Sequence, residues 1–370
     1  MSLRLGLIFS TTGSYAALGQ SALAGALGAI ETLQAAGGSN ITPVIADPRG
    51  DMAEYDRLTR SLLDDGVRHI LGAITSSSRK EMIPLLERRG GLLWYPCPYE
   101  GFESNGHVVY LGAAPNHHVV PVTDWIAEQG MERAYLVGSN YVWGWETLRL
   151  ARDCLQSHGI EIVGERYVPL GSTSHEHVLD ELCAQDVDCV VDSLIGPSNT
   201  SFLHGLAARD PARVGRPGHV ASFNQTEADL GDLGAAANGL ISAGSLFEED
   251  AGDALKEAAK RHAPNGRVSS FLATSYAAVE IIAEALERAG SEDPRAVFEA
   301  ASSASVTTAM GSVSIDPVLR HAELRPCLSL AENGRFRVVE RMERAVPADP
   351  YLAARNADRR RRKTVLRVIN

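Results

Sequence analysis

HILGAITSSSRKEMIPLLERRGGLLWY, residues 69–95, is the stretch whose reading decides the fold. It opens with the apolar run His69 to Ile74 and passes through the hydroxyl run Thr75 to Ser78. It continues as an amphipathic stretch from Arg79 to Arg89 and closes, after Gly90-Gly91, with the apolar run Leu92 to Tyr95. A short apolar run bounded by turn residues reads as a strand, and a longer stretch with helical spacing reads as a helix. Two strands joined by a helix lie parallel, so the segment is one βα unit followed by the next strand. Upstream the same alternation gives strands at Leu3 to Phe9 and Thr42 to Ala46, with helices at Gln20 to Ala35 and Ala53 to Leu63.

Downstream, a second series begins near Pro115-Asn116. Helix Val120 to Glu128 leads to strand Ala134 to Val137, helix Glu146 to His158, strand Ile160 to Val168, helix His175 to Ala184 and strand Cys189 to Leu194. The chain is thus α/β, with two doubly wound parallel-sheet lobes. Gly239 to Phe247 ends a further strand, and the apolar spacing of Ser269 to Arg288 suits a helix packed on the first sheet. The tail turns to short strands at Val313 to Ile315, Leu328 to Leu330 and Phe336 to Val339, separated by Asp316-Pro317 and Asn333-Gly334 turns.

A chain of 370 residues has room for two such cores. Its 45% hydrophobic and 22% charged residues exclude a disordered or membrane-embedded protein. A net charge of −11 argues against a broad nucleic-acid surface and leaves a small molecule as the expected partner. The five cysteines, Cys97, Cys154, Cys183, Cys189 and Cys327, form no CxxC pair, so neither a zinc site nor a disulfide framework is expected. Met1 leads straight into the first apolar run without a charged leader. A cytoplasmic location is therefore expected, the alternative being periplasmic if a leader preceded this start.

Catalytic signatures are missing: G-x-S-x-G, a Walker motif, G-x-G-x-x-G and HExxH do not occur. Cys97 as an amidase nucleophile would need a base that no nearby loop supplies. The protein is read as no enzyme, with no cofactor. His175-Glu176-His177 resembles a metal pair, but such positions point apart on a helix, so no metal is expected. His117-His118 read as a helix start and Arg49-Gly50-Asp51 as a turn. The basic run Arg359 to Lys363 reads as a solvated tail.

In open parallel sheets ligands bind beyond the carboxyl ends of strands. The loops there run from Ser10 to Ser14, Thr75 to Arg79, Pro96 to Gly101, Ser139 to Trp143, Gly196 to Thr200 and Asn224 to Glu227. They are rich in hydroxyl and aromatic groups and poor in charge, which suits a small neutral polar ligand. Thr75 to Ser78 would cap a helix beginning near Arg79 in any case. Tyr141, Trp143 and Trp145 crowd a loop too tightly for a mere connector and read as a cleft wall. Glu227 could meet an ammonium group, but a place in the first turn of a helix explains it better.

Arg79-Lys80 after the serine run, the segment Tyr95 to Glu103, and Gly138 to Val142 together resemble the amide and urea branch of the type I periplasmic-binding-protein family. They are most similar to the cytoplasmic sensors that negatively regulate amidase operons. Ala114-Pro115-Asn116 and Asp349-Pro350-Tyr351 extend the resemblance over nearly the whole chain.

The resemblance implies two Rossmann-like lobes hinged by three crossovers. Lobe one would hold residues 1–118 plus 248–325, and lobe two 119–247 plus 326–370, with the ligand cleft between them. It places Ser76, Tyr95, Cys97, Tyr141 and Trp143 around the ligand, and Ser10, Thr75 and Thr226 from the same set of loops complete the expected site. Ile74, Cys97 and Ser245-Leu246 depart from the branch pattern. The implied ligand is acetamide-like or urea, and the implied partner is a transcription antiterminator, with no direct nucleic-acid contact and no membrane insertion. The alternative is the substrate-binding component of an ABC transporter for urea, short-chain amides or branched-chain amino acids, with a permease as partner. Homo-oligomerisation is left open.

Overall fold

Caps and glycines set where the elements begin and end. In the computed structural model, which describes residues 2–38 and 40–353, Asp51 caps helix α2 (Met52–Asp64) by accepting from the Ala53 and Glu54 amides. Thr75 caps α3 (Ser76–Arg89) through the Ser78 amide, so the three serines are the first helical turn and the helix starts earlier than its charged face suggested. The run Arg359 to Lys363 lies outside the described residues.

Five parallel strands form the first sheet: β1 (Ser2–Ile8), β2 (Asn40–Ala46), β3 (His69–Gly72), β4 (Leu92–Tyr95) and β5 (Val108–Tyr110). Their order is β2-β1-β3-β4-β5. The second sheet contains β6 (Arg133–Ser139), β7 (Glu161–Val168), β8 (Cys189–Ser193), β9 (Val220–Ser222) and β10 (Ile241–Gly244), ordered β7-β6-β8-β9-β10, again all parallel. The two sheets share one doubly wound order, and both close on helices packed over their faces.

Three late elements complete the layers. Between β10 and the tail strands lie α9 (Asp253–His262), α10 (Ser270–Ala289) and α11 (Pro294–Ser303). Helix α10 packs on α1 (Ala16–Ala35), in the first lobe, because Gly25 leaves room for it: a Cβ there would sit 2.0 Å from the Leu272 carbonyl oxygen. The hairpin β11 (Val306–Thr308) and β12 (Gly311–Val313) follows, then β13 (Cys327–Glu332) and β14 (Arg335–Arg341), antiparallel on the β10 edge of the second sheet. Asn333 and Gly334 join β13 to β14 with positive φ at both positions, as a two-residue hairpin turn requires.

The chain passes between the sheets after β5, after β10 and before β13. Residues 346–352, inside the stretch assigned to lobe two from sequence, run back along the first lobe. There Val346 bridges Leu324, the Phe102 amide donates to the Pro350 carbonyl, and Asn116 Nδ2 donates to the Pro347 carbonyl. Short elements lacking a long periodic run were not legible: β5, β9, α9 and α11 belong here. So does α7 (Pro197–Arg209), whose first turn reads as a loop in sequence because of its glycine, proline and polar residues.

Candidate functional site

The carboxyl ends of the two sheets face one another across a small, partly open cavity. Lobe one supplies Leu18, Ile74, Thr75, Ser76, Tyr95, Pro98 and Phe271. Lobe two supplies Tyr141 and Trp143 from the start of α5 (Val142–Ser157), with Ile195 and Asn224 from the loops after β8 and β9. Of the residues expected from sequence, Thr75, Ser76, Tyr95, Tyr141 and Trp143 come together on this wall. A second small void adjoins it, sharing Pro98 and Asn224.

Three expected residues are not on the cavity wall. Ser10 is turned into lobe one, where its hydroxyl shares a hydrogen bond with Tyr55 Oη at 2.9 Å and accepts from the Gly50 amide at 2.8 Å. Thr226 closes a turn with Asp229, accepting from the Ala228 amide. Cys97 Sγ donates to the Ala73 carbonyl at 3.4 Å, and burial holds its thiol well above the ordinary range. Each belongs to one of the expected loops but spends its side-chain polar atom on lobe packing rather than on the cavity wall. Glu227 also lies away from the cavity. Its carboxyl accepts from the Glu248 amide at the second crossover, and burial raises its pKa to about 8.

Beneath Ser76 the loops are not charge-poor, which corrects the reading of the cleft. Arg79, fully buried, lies between Glu100 at 3.3 Å and Glu103 at 2.7 Å, and Lys80 reaches Glu103 at 2.6 Å. Its guanidinium also sits over the rings of Tyr95 at 4.7 Å and Tyr99 at 4.9 Å. Burial opposes its charge, but Glu100 and Glu103 overcome that and hold Arg79 protonated. Burial likewise pushes Glu103 upward, yet the Arg79 and Lys80 cations bring it down to about 2. The Ser76 hydroxyl donates to Glu100, tying the α3 N-terminus to this network. In sequence, Arg79 and Glu100 looked like helix surface and loop; only their spacing across two βα loops hid the pair.

Some buried polar atoms of the cavity-lining residues and their neighbours have unspent capacity. Among the described residues Tyr95 Oη and Trp143 Nε1 are buried without a hydrogen-bond partner, as is Nδ1 of His118, whose ring lies 5.5 Å from that of Trp143. His118 Nε2 donates to the Tyr99 carbonyl, and burial lowers its pKa to about 3, so the ring is neutral. The first-turn amides at Ser76 and Ser77 add donors at a helix N-terminus. Apolar Leu18, Ile74, Ile195 and Phe271 surround these groups, so the arrangement can hold a small solute with a polar head and an apolar body.

The lobes also touch directly. Gly196, at φ +59°, lies against Ser14 so closely that a Cβ would be 2.2 Å from the Ser14 carbonyl oxygen. Arg149 of lobe two sits over the Phe102 ring of lobe one at 5.0 Å. Two parallel-sheet lobes closed over a shared cavity, with the chain crossing between them after β5, after β10, before β13 and again after β14, define a two-lobed small-molecule-binding protein.

The chain belongs to the family described as periplasmic binding protein domain, whose model matches residues 3–357. It is 26% identical over 335 residues to the leucine-, isoleucine-, valine-, threonine- and alanine-binding protein of Pseudomonas aeruginosa, covering 85% of this chain and 86% of that one. Its fold is that of a Rhodopseudomonas palustris HaA2 ABC-transporter solute-binding protein in complex with p-hydroxybenzoic acid (TM-score 0.85, 19% identity, 96% and 100% coverage). A Streptococcus pneumoniae branched-chain amino acid transporter substrate-binding protein in complex with isoleucine has the same fold (TM-score 0.80, 18% identity, 92% and 99% coverage). These relatives carry the broad family and not the amide-sensor branch.

Proposed function

We propose that this protein captures a small organic solute between its lobes and delivers it to the permease of an ABC-type importer, without transforming it. The observation that carries the reading is the cavity itself. It is closed by residues of both lobes, lined by apolar side chains and furnished with hydrogen-bonding groups that have no protein partner. A solute bonded to both walls favours the closed form by its differential affinity for it. The relatives' ligands, amino acids and hydroxybenzoic acid, support uptake over the amidase-sensor role and make the permease a better-supported partner than an antiterminator. They equally favour the periplasm over the cytoplasm. Among the described residues no helix is long and apolar enough to cross a membrane. The buried Cys97, with its thiol held protonated, is a poor nucleophile and supports a non-catalytic role.

The test is a thermal-shift and calorimetric panel of short carboxamides, urea, branched-chain amino acids and benzoates, followed by small-angle scattering. At least one compound with an apolar body should stabilise the protein and compact it. A panel in which bound solute causes no compaction would remove the clamp.

A further inference from the structure

The backbone at Phe102 is strained, and burial of its ring does not explain why. Its φ of +58° lies in the left-handed region that a bulky side chain seldom enters, yet the residue is 44% exposed. The chain is pinned on either side of it. Glu100 accepts from Ser76 on the cavity wall, and Glu103 holds Arg79 at 2.7 Å. Gly101, also at positive φ, approaches the Pro350 carbonyl so closely that a Cβ would be 2.4 Å from its oxygen, and the Phe102 amide donates to the same oxygen at 2.9 Å. That returning segment is itself fastened to lobe one, where Asn116 donates to the Pro347 carbonyl and accepts from the Asp349 amide.

What the Phe102 ring meets is the other lobe. The Arg149 guanidinium lies over it, 5.0 Å from the centroid. Arg149 belongs to α5, whose first turn carries Trp143 to the cavity, and Glu146 at 2.9 Å and Asp153 at 3.5 Å hold its side chain along that helix. The two partners thus extend from a loop and a helix that wall the cavity, while neither lines it.

We propose that Phe102 and Arg149 form a latch outside the solute cavity, which sets how long the closed lobes retain a solute, and that the left-handed backbone at Phe102 is the stability cost of presenting the ring. This rests on the capture reading above. Because the contact joins two lobes, opening breaks it. Its loss therefore speeds release and leaves the encounter of solute with the open cleft unchanged. A cation–π contact at an exposed site corresponds to about a 2- to 5-fold change in rate.

Stopped-flow release of leucine and of p-hydroxybenzoate, followed by tryptophan fluorescence, tests the latch. Phe102→Ala and Arg149→Gln should each release solute about 2- to 5-fold faster than wild type at an unchanged association rate. The double variant should be no faster than the faster single one, since both remove the same contact. Phe102→Gly should match Phe102→Ala in release but unfold at a temperature at least about 2 °C higher, because glycine takes positive φ without strain. A merely structural role for Phe102 would instead make release follow stability across those two variants, and equal unfolding temperatures would overturn the strain assigned to it. If neither compound binds, deuterium uptake by the amides of residues 76–78 and 141–143 in the unliganded protein carries the test, and it should be faster in Phe102→Ala and Arg149→Gln. Solute that leaves every variant at the wild-type rate removes the latch and leaves capture standing, and additive acceleration in the double variant does the same. Faster uptake without binding keeps the latch and counts against capture of these solutes, whereas unchanged uptake without binding removes both.

Discussion

The two walls of the cleft bury carboxyl groups in opposite ways. Under lobe one, Glu100 and Glu103 are neutralised by Arg79 and Lys80, and the pairing holds the Glu103 pKa at about 2. Under lobe two, Asp192 at the end of β8 is equally buried, but among the described residues it accepts from the Leu194 amide and Asn199 Nδ2 with no cation beside it. Burial there is opposed by hydrogen bonds alone, and the pKa rises to about 7. Similar loops after equivalent strands thus hold one wall with ions and the other with neutral groups. The difference teaches that the first wall has an irreplaceable partner, while the second could be built with an amide.

Removing that partner is the harshest way to break the comparison. Arg79→Met strands Glu100 in a dry site and should cost about 3–5 kcal/mol of unfolding free energy. Asp192→Asn at pH 8, which removes a buried charge that has no cation, should cost no more than about 1 kcal/mol. Urea denaturation of both variants checks this. Equal losses would mean that the ion network carries no special weight.

Closure is the next target, because it brings the two walls together. Gly196→Ala would drive a Cβ into the Ser14 carbonyl at 2.2 Å, whereas Gly171→Ala, also at positive φ, would meet only Ser14 Oγ at 3.6 Å. Both should lose some stability from backbone strain. Only the first should also lose affinity for a captured solute, by about 10- to 100-fold for a steric cost of about 1–3 kcal/mol. Matching affinities for the two variants would show that the Ser14–Gly196 contact is not part of closure.

The smallest expected effect is in acid, and its sign differs between lobes. Glu103 titrates lower folded than unfolded, so its contribution is present above its ordinary carboxyl range and is lost as pH falls toward about 2. Asp192 titrates higher folded than unfolded. Its contribution is therefore full below the ordinary aspartate value, is lost as pH rises toward about 7, and stays lost above that. Relative to wild type, Glu103→Gln should flatten the stability profile below pH 4, and Asp192→Asn should flatten it between pH 4 and 7. Stability profiles by denaturant titration across that range read the difference, and parallel profiles for the two variants would contradict it.

Much of this architecture was legible because it repeats. The runs at residues 69–95 carry period and punctuation together, and Asn333-Gly334 names its own turn. The late helix Ser270–Ala289 was placed on the first lobe by its apolar face, and the contact through Gly25 supplies the reason. The site was legible at the level of loops, since topology puts strand ends at the cleft. Side-chain direction was not. Ser10, Cys97 and Thr226 lie in the expected loops yet spend their polar atoms on Tyr55, Ala73 and Asp229. Ile195 and Phe271 line the cavity although nothing local marks them, and so does Asn224, which opens one of the expected loops but was not singled out within it.

By itself, then, the amino-acid order determined the alternation of strands and helices, the two-lobed class and the set of loops that meet, because hydrophobic period and turn chemistry act over a few residues. Only the tertiary structure decided that Arg79 should find Glu100, that Ser76 should give its proton away, and that Gly196 should rest on Ser14. Those contacts join segments tens or hundreds of residues apart, and their energy depends on burial that no local window contains.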